Sequence, residues 1–399
     1  TRRSSDLPRN SLDGLAQTIV GMALEKVWKL EEAFNIIRNS YSYHDLEWDD
    51  YLSVIHYLAS RDMPHVYSKI WLDDDSGEFG KKKSSRLIYY LNSGTIPEEA
   101  NYRVYSDSGG RLGELSEGFV ERLSPGDVFV LGGRAYEFVR AREMSLFVKP
   151  ATGRRPTIPS WTGEMLPRSY DLSVEIGKFR GHMASLVSSG KDMEKWLREN
   201  YPLDMGGAKT IASFIHEQIA FNSAVPTDKD LLIEGYLDPK NNLNVIFHYC
   251  FGRRTNDALS RAYAMAVSNK FGCNVSVSIN DDCFMLTVPG KIPLKGIEKL
   301  VNPDNIITLL GEAIRETEMF KQRFRHCSTR GLMVLRNYQG REVPVGRQQQ
   351  RSQKVLRALE DRENFPIVRE TVAEIMNQAM SLDSAIGIQI GRASCRERV

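Results

Sequence analysis

Cysteine is scarce, with five in 399 residues, and no two form a C-x-x-C pair or join histidine at metal-ligand spacing. A disulfide scaffold and a zinc module are therefore excluded, and reduced thiols in a cytosolic compartment are expected. Long apolar runs are lacking too. Nothing approaches the roughly 18 residues that span a bilayer, so no membrane partner is expected. The phosphate-cradling G-x-x-x-x-G-K-[ST] loop, the D-E-x-H box, the H-E-x-x-H metal helix and the G-x-S-x-G nucleophile elbow are all absent, and the seven histidines stand apart. On these grounds no catalytic residue and no metal site is assigned. Neither sign of charge dominates, because 53 Lys and Arg face 51 Asp and Glu, so the overall balance points to no partner.

The two ends stand out. Residues 1–6, TRRSSD, can be encoded by a DNA string whose reverse complement translates as IGRASC, which is residues 390–395. Natural termini have no reason to be antisense to one another, so 1–7 and 390–399 are read as sequencing-adapter residues and set aside. They carry a net +3, which leaves −1 for the rest. The remainder is read as an internal piece of a longer chain, and its roughly 380 residues suggest two or three domains.

From Asn10 the apolar spacing predicts three short helices. Leu12, Leu15, Ala16, Ile19 and Ala23 follow an Asn10 or Ser11 cap, Leu30, Ala33, Phe34 and Ile37 come next, and Leu52, Ile55, Leu58 and Ala59 follow Asp45. A β-branched and aromatic run at 66–71, an acidic turn at 73–77 and a further strand at 86–91 complete the pattern of a winged helix, placed at 8–83. That turn lacks the glutamate spacing of a calcium loop. Residues 84–151 read as a small β-barrel-like module, with strands at 102–106, 128–131, 136–140 and 146–149 between glycine turns. Gly132-Gly133 lies between two of these strands rather than ahead of a helix, which is turn chemistry and not a phosphate cradle. After a Pro/Arg/Gly-rich loop at 150–167, helices are predicted at 169–189, 193–200 and 208–222. Strands at 231–235, 243–250, 275–279 and 284–288 enclose a helix at 258–271, and the rest is mostly helical. The fold class is α+β, with a helical bundle inside a mixed domain over 152–389.

One segment breaks the charge balance. Residues 315–357 hold eleven Lys or Arg and three Asp or Glu, hence +8, a candidate track for phosphates that includes Arg330, Arg336 and Arg347. The loop pairs Arg154-Arg155 and Arg253-Arg254 can fork onto phosphates, and Arg261 lies one helical stretch further on. Trp161 sits in a proline-stiffened loop without apolar periodicity, where its indole can stack on an unpaired base or plug a gap between modules.

Three stretches resemble the large helicase-related (Lhr) family of superfamily-2 helicases. They are NSLDGLAQTIVGMA at 10–23 with 32–40 after it, PSWTGEMLPRSYDLSVEIGKFR at 159–180, and FHYCFGRRTNDALSRAYA at 247–264 joined to HCSTRGLMVLRNYQGREVPVGRQQQ at 326–350. The first looks like that family's winged helix, the others like its DEAD/H-associated domain. The resemblance implies the nucleic-acid-gripping C-terminal half of an ATP-dependent helicase that loads on one strand, moves 3′-to-5′ and unwinds duplexes. Single-stranded DNA or an RNA–DNA hybrid is the implied partner. Two RecA-like motor domains, which bind ATP and Mg, are implied in the parent chain and not among these residues, so no cofactor is expected here. By carry-over, Trp161 matches the family tryptophan that stacks on a base of the tracking strand.

Two other readings compete. Winged helices joined to β-barrels also occur in some DNA glycosylases, which need a pocket with a carboxylate or glutamine aimed at the sugar. A pure interaction module would scatter its basic residues over all faces. Since every phosphate-binding motif is missing, the purified chain is expected to show no magnesium-dependent ATP turnover, with or without nucleic acid. A phosphate-release assay that found turnover in a contaminant-free sample would overturn the reading.

Overall fold

The computed structural model of the chain describes residues 8–61, 67–120, 123, 125–142, 144–154, 167–315, 317–390 and the strand 394–398. They form two compact units, Thr1–Thr162 with Arg315–Ile375, and Gly163–Ile314 with Met376–Val399. The first unit opens with α1 (Leu12–Glu25), β1 (Trp28–Lys29), α2 (Leu30–Arg38), α3 (Trp48–Leu58), β2 (Ile70–Asp73) and β3 (Glu78–Lys81), the strands ordered β1-β3-β2. The apolar stripe of α1 is buried as its spacing requires. The third helix starts at Trp48, three residues later than Asp45 suggested, with extended Glu47 at its cap position and a 3₁₀ turn at 41–43 ahead of it. Its buried face is set by Tyr51, Val54, Ile55, Tyr57 and Leu58, and Tyr57 donates through Oη to the Gly331 carbonyl.

The predicted strand at 86–91 is instead a helix, α4 (Ser85–Asn92). Its apolar run is too short for periodicity to separate strand from helix, and packing decides. Tyr89 lies over Gly21 of α1, where a Cβ would come within 3.0 Å of the phenol oxygen. The sheet's third strand is β1, two residues that no sequence pattern marks. Next come β4 (Asn101–Ser106), β5 (Arg111–Ser116), α5 (Glu117–Val120), β6 (Val128–Leu131), β7 (Arg134–Arg142) and β8 (Ser145–Pro150), ordered β5-β4-β8-β7-β6 in a curled half-barrel. Tyr102, Val104, Phe129, Phe138, Leu146 and Val148 fill it, together with Phe119 of α5. Gly132 and Gly133 form the turn between β6 and β7 with φ of +57° and +78°, the signs that a two-residue type I′ hairpin needs.

The second unit starts with α6 (Tyr170–Ser188), α7 (Met193–Asn200) and α8 (Met205–Asn222). Each begins where a side chain caps it: Ser169, Asp192 and Asp204 accept from the amides of Leu172, Lys195 and Gly207. A sheet follows from β9 (Asp230–Leu237), β10 (Asn242–His248), β11 (Ser276–Ile279) and β12 (Phe284–Pro289), ordered β11-β12-β10-β9, with α9 (Arg253–Phe271) across it and α10 (Ile306–Arg315) after it. The chain then returns to the first unit as α11 (Glu318–Arg330), the hairpin β13 (Asn337–Tyr338) and β14 (Arg341–Glu342), α12 (Val345–Ala358) and α13 (Pro366–Glu374). Residues 315–375 thus pack with the winged helix and half-barrel, whereas the sequence carried them in one domain over 152–389. A π-turn at Ile375–Ala379 leads to α14 (Leu382–Ile390) and β15 (Ser394–Arg398), which pairs in parallel with β9. No helix among the described residues is long and apolar enough to cross a membrane.

The start of α1 is capped from a distance. Ser11 occupies the cap position without a side-chain cap bond. The Leu12 amide instead donates to Glu370 Oε2 of α13 at 2.7 Å, and Ser11 Oγ donates to Glu370 Oε1 at 3.2 Å. Burial and the nearby Asp13 charge push the Glu370 carboxyl up from 4.5 to about 7. A group whose folded pKa is raised stabilises the fold fully below its unfolded value, and that contribution is lost as pH rises toward 7. Glu370→Gln removes the titration, so its melting temperature relative to the natural chain should improve between pH 5 and pH 8. A difference that stays constant across that range would rule Glu370 out as the titrating group.

Candidate nucleic-acid interface

The basic segment 315–357 divides into two populations. Arg325, 1% exposed, sends Nη2 to both Glu117 oxygens at 2.7 and 2.6 Å and Nη1 to the Glu98 carbonyl at 3.1 Å. Arg330 pairs with Asp13 at 2.6 Å and with Glu374, which Arg323 also approaches at 3.2 Å. Arg315 pairs with Glu363 at 2.6 Å and Lys321 with Glu318 at 2.8 Å. Arg336 donates to the carbonyls of Asn92, Ser93 and Ile96 at 2.7, 2.9 and 3.2 Å. Six of the eleven cations are therefore engaged within the first unit, Arg330 and Arg336 among them. His326 stays neutral there, since burial and the charges of Arg325, Arg323 and Arg330 push its pKa down.

Ligand-like atoms of Asp13, Cys327 and Glu374 lie within 4.8 Å of one another. Arg330 already answers both carboxylates, so the cluster is an ion-pair network and carries no metal assignment. Burial, Asp13 and Glu374 also push the Cys327 thiol well up, which keeps it protonated.

The other five cations, Arg341, Arg347, Arg351, Lys354 and Arg357, are exposed. Four stand on α12 at spacings of four, three and three residues, which places them on one side of the helix. The other side carries Gln348, Gln349 and Ser352, all buried, and Gln348 donates to Glu98 at 2.8 Å and to the Val343 carbonyl at 2.7 Å. None of the four has an ion-pair partner among the described residues. Neighbouring like charges destabilise a helix by a few tenths of a kcal/mol each, and Arg347 lies in a first turn that holds no acid, at the positive end of the dipole. A polyanion laid along this face relieves both. Arg351, Lys354 and Arg357 were not singled out in the sequence, although their helical spacing from Arg347 was the available signal.

Elsewhere the candidates are mostly occupied. Arg154 pairs with Glu137 on β7, which also takes Lys149 at 2.8 Å. Trp161 and Arg155 lie outside the described residues. In the second unit Arg254 caps the carbonyls of Asn377, Gln378 and Met380, Arg261 pairs with Asp257 at 2.6 Å, and Arg253 is half-buried at the start of α9. A cavity of about 160 Å³ there is lined by Arg180, Phe214, Gln218, His248, Cys250 and Asp282 among others. Its carboxylate is held by Arg168 at 2.8 Å and Arg180 at 3.2 Å, which argues against the free acid or base that a glycosylase reading needs. Gly132-Gly133 does not fit ATP, because it is a tight turn between strands with no helix N-terminus behind it.

Residues 3–158 match the family described as large helicase-related protein, winged helix domain, and residues 225–389 match the family described as DEAD/H associated. The ATP-dependent helicase Lhr-Core protein 2 of Thermococcus barophilus is 42% identical over 387 residues, covering 95% of this chain and 44% of the relative. The ATP-dependent helicase Lhr-Core of Methanocaldococcus jannaschii is 43% identical over 384 residues, covering 95% and 44%. The chain thus spans less than half the length of these relatives. A solved structure of Mycobacterium smegmatis helicase Lhr bound to ssDNA and AMP-PNP shares the fold with a TM-score of 0.71 at 22% identity, covering 98% of this chain and 46% of that one.

Inward and outward cations have separable signatures. Arg325→Met leaves Glu117 buried and unpaired, which should cost about 3–5 kcal/mol of stability, whereas Arg357→Met should leave the unfolding midpoint unchanged. Equal losses in urea titrations of the two variants would overturn the division.

Proposed function

This chain belongs to the large helicase-related family, and on that premise we propose that it is the strand-gripping C-terminal half of an ATP-dependent 3′-to-5′ helicase. The observation that carries the proposal is the unanswered basic face of α12. Its relatives are named as ATP-dependent helicases, and the mycobacterial relative holds single-stranded DNA. Motor domains elsewhere in the parent chain would bind ATP and Mg, and this half would hold single-stranded DNA, or the DNA of an RNA–DNA hybrid, between their strokes. Arg347, Arg351, Lys354 and Arg357 would hold phosphates, and Trp161 would stack on a base. Such a grip is nearly blind to sequence, because it meets phosphates and π-faces rather than base edges.

Salt titration of single-strand binding tests this. Replacing the four α12 cations by Gln should weaken binding and lower the slope of log affinity against log salt by about 0.7 for each phosphate no longer neutralised. Trp161→Ala should cost about 5- to 150-fold in affinity while leaving the slope intact. An unchanged slope in the α12 variant would remove that helix from the interface.

A further inference from the structure

Just ahead of α12 the fold fixes a segment that has no core of its own. β13 and β14 contribute two residues each, joined by Gln339-Gly340 with φ of +50° and +76°, again the type I′ signs. An isolated hairpin of this size is not stable in water. Here it is fastened to the end of α4. The Asn337 amide donates to Asn92 Oδ1 at 2.7 Å, Asn92 Nδ2 donates to the Asn337 carbonyl at 3.1 Å, and Asn337 Nδ2 donates to the Leu91 carbonyl at 2.8 Å. Arg336 adds its three bonds to carbonyls at the last residue of α4 and just beyond it, and the Val343 amide closes the base of the hairpin on the Arg336 carbonyl at 2.7 Å. What this bracing presents is a ring in solvent: Tyr338 is 54% exposed, and Tyr90, two residues before Asn92 on the bracing helix, is 71% exposed.

We propose that the hairpin 337–342 is a rigid stacking pin, on which Tyr338 holds an unpaired base of a nucleic-acid strand while Arg341 meets an adjoining phosphate. The inference rests on the reading of α12 as a phosphate face and adds a second, uncharged element to it. Charge favours a nucleic acid over a protein partner, because residues 341–357 carry five Lys or Arg and one Glu, none of those cations is paired among the described residues, and α12 begins three residues after β14. Bracing supplies the reason for stacking rather than loose association. An aromatic ring held in place before binding loses little freedom when a base lies on it, and every base has a π-face to offer. The brace also accounts for Arg336, a cation of the basic segment that points into carbonyls and not at solvent.

The whole chain can be tested by fluorescence anisotropy with a labelled oligothymidylate at several salt concentrations. Tyr338→Ala should weaken binding by about 5- to 150-fold with the salt slope unchanged, and Tyr338→Phe should retain most of the affinity. Arg336→Ala, which loosens the brace and leaves the ring, should weaken binding too. Thermal melts of Tyr338→Ala should match the natural chain, since the ring is exposed. If Tyr338→Ala binds like the natural chain while the fourfold α12 variant loses affinity and slope, the pin is overturned and the grip stands. If the α12 variant is also unaffected, both fall. Equal losses in the Ala and Phe variants would assign the effect to the hydroxyl and overturn stacking, and unchanged oligonucleotide affinity would leave a protein as the surface's partner.

Discussion

Two guanidinium groups on one helix decide how the first unit is assembled. Arg325 and Arg330 lie five residues apart on α11, one reaching Glu117 at the start of α5 in the half-barrel, the other Asp13 at the start of the winged helix and Glu374 on α13. Burying such ions costs several kcal/mol each in lost hydration. That cost is visible here, because burial holds the Glu117 carboxyl above its ordinary range even with the Arg325 guanidinium at 2.6 Å. The pair therefore adds little net stability. What it adds is register: a docking of half-barrel, winged helix and α11 that separated these partners would leave a buried ion unanswered.

The same arrangement sorts the surface. Because α11 turns its cations inward, and Arg336 is taken up by carbonyls at the end of α4 and just beyond it, positive charge in the segment is left concentrated on α12 and the hairpin before it. Charges that share one helix face without acidic neighbours reinforce each other's field, whereas the same number dispersed among carboxylates would cancel within a Debye length of about 8–10 Å. A local net charge of +8 over 315–357 thus overstated the available track and blurred its position. The useful part is the stretch in which helical spacing and the lack of acids coincide.

Elements closed by local chemistry were legible in the sequence. α6 and α7 begin within one residue of their expected starts, and α8 three residues before its own, each behind a Ser or Asp cap, and α9 ends at Gly272 in the left-handed conformation. The strands of the half-barrel's core were found for the same reason, since alternating apolar residues run between glycine turns. What failed was decided by distant partners. RLIYYL at 86–91 is helical because Tyr89 finds Gly21, and β5, with Leu112 exposed, is a polar edge strand whose only signature is its pairing with β4. The ion pairs are the extreme case, as Arg325 and Glu117 are 208 residues apart. A basic residue in a sequence looks the same whether it will meet a phosphate or a buried carboxylate.

That ambiguity shapes how a grip of the proposed kind is built. Holding a strand without reading it requires two interactions that ignore base identity, charge on the backbone and a flat ring on the base. Charge alone lets a strand slide, since a phosphate at one register is equivalent to the next. A ring on a fixed mount resists sliding, because each step must break a stack before it makes another. The part-buried polar bonds that brace the hairpin of Tyr338 and the bonds of buried Gln348 under the cations of α12 serve one end: both hold exposed groups to fixed elements of the first unit.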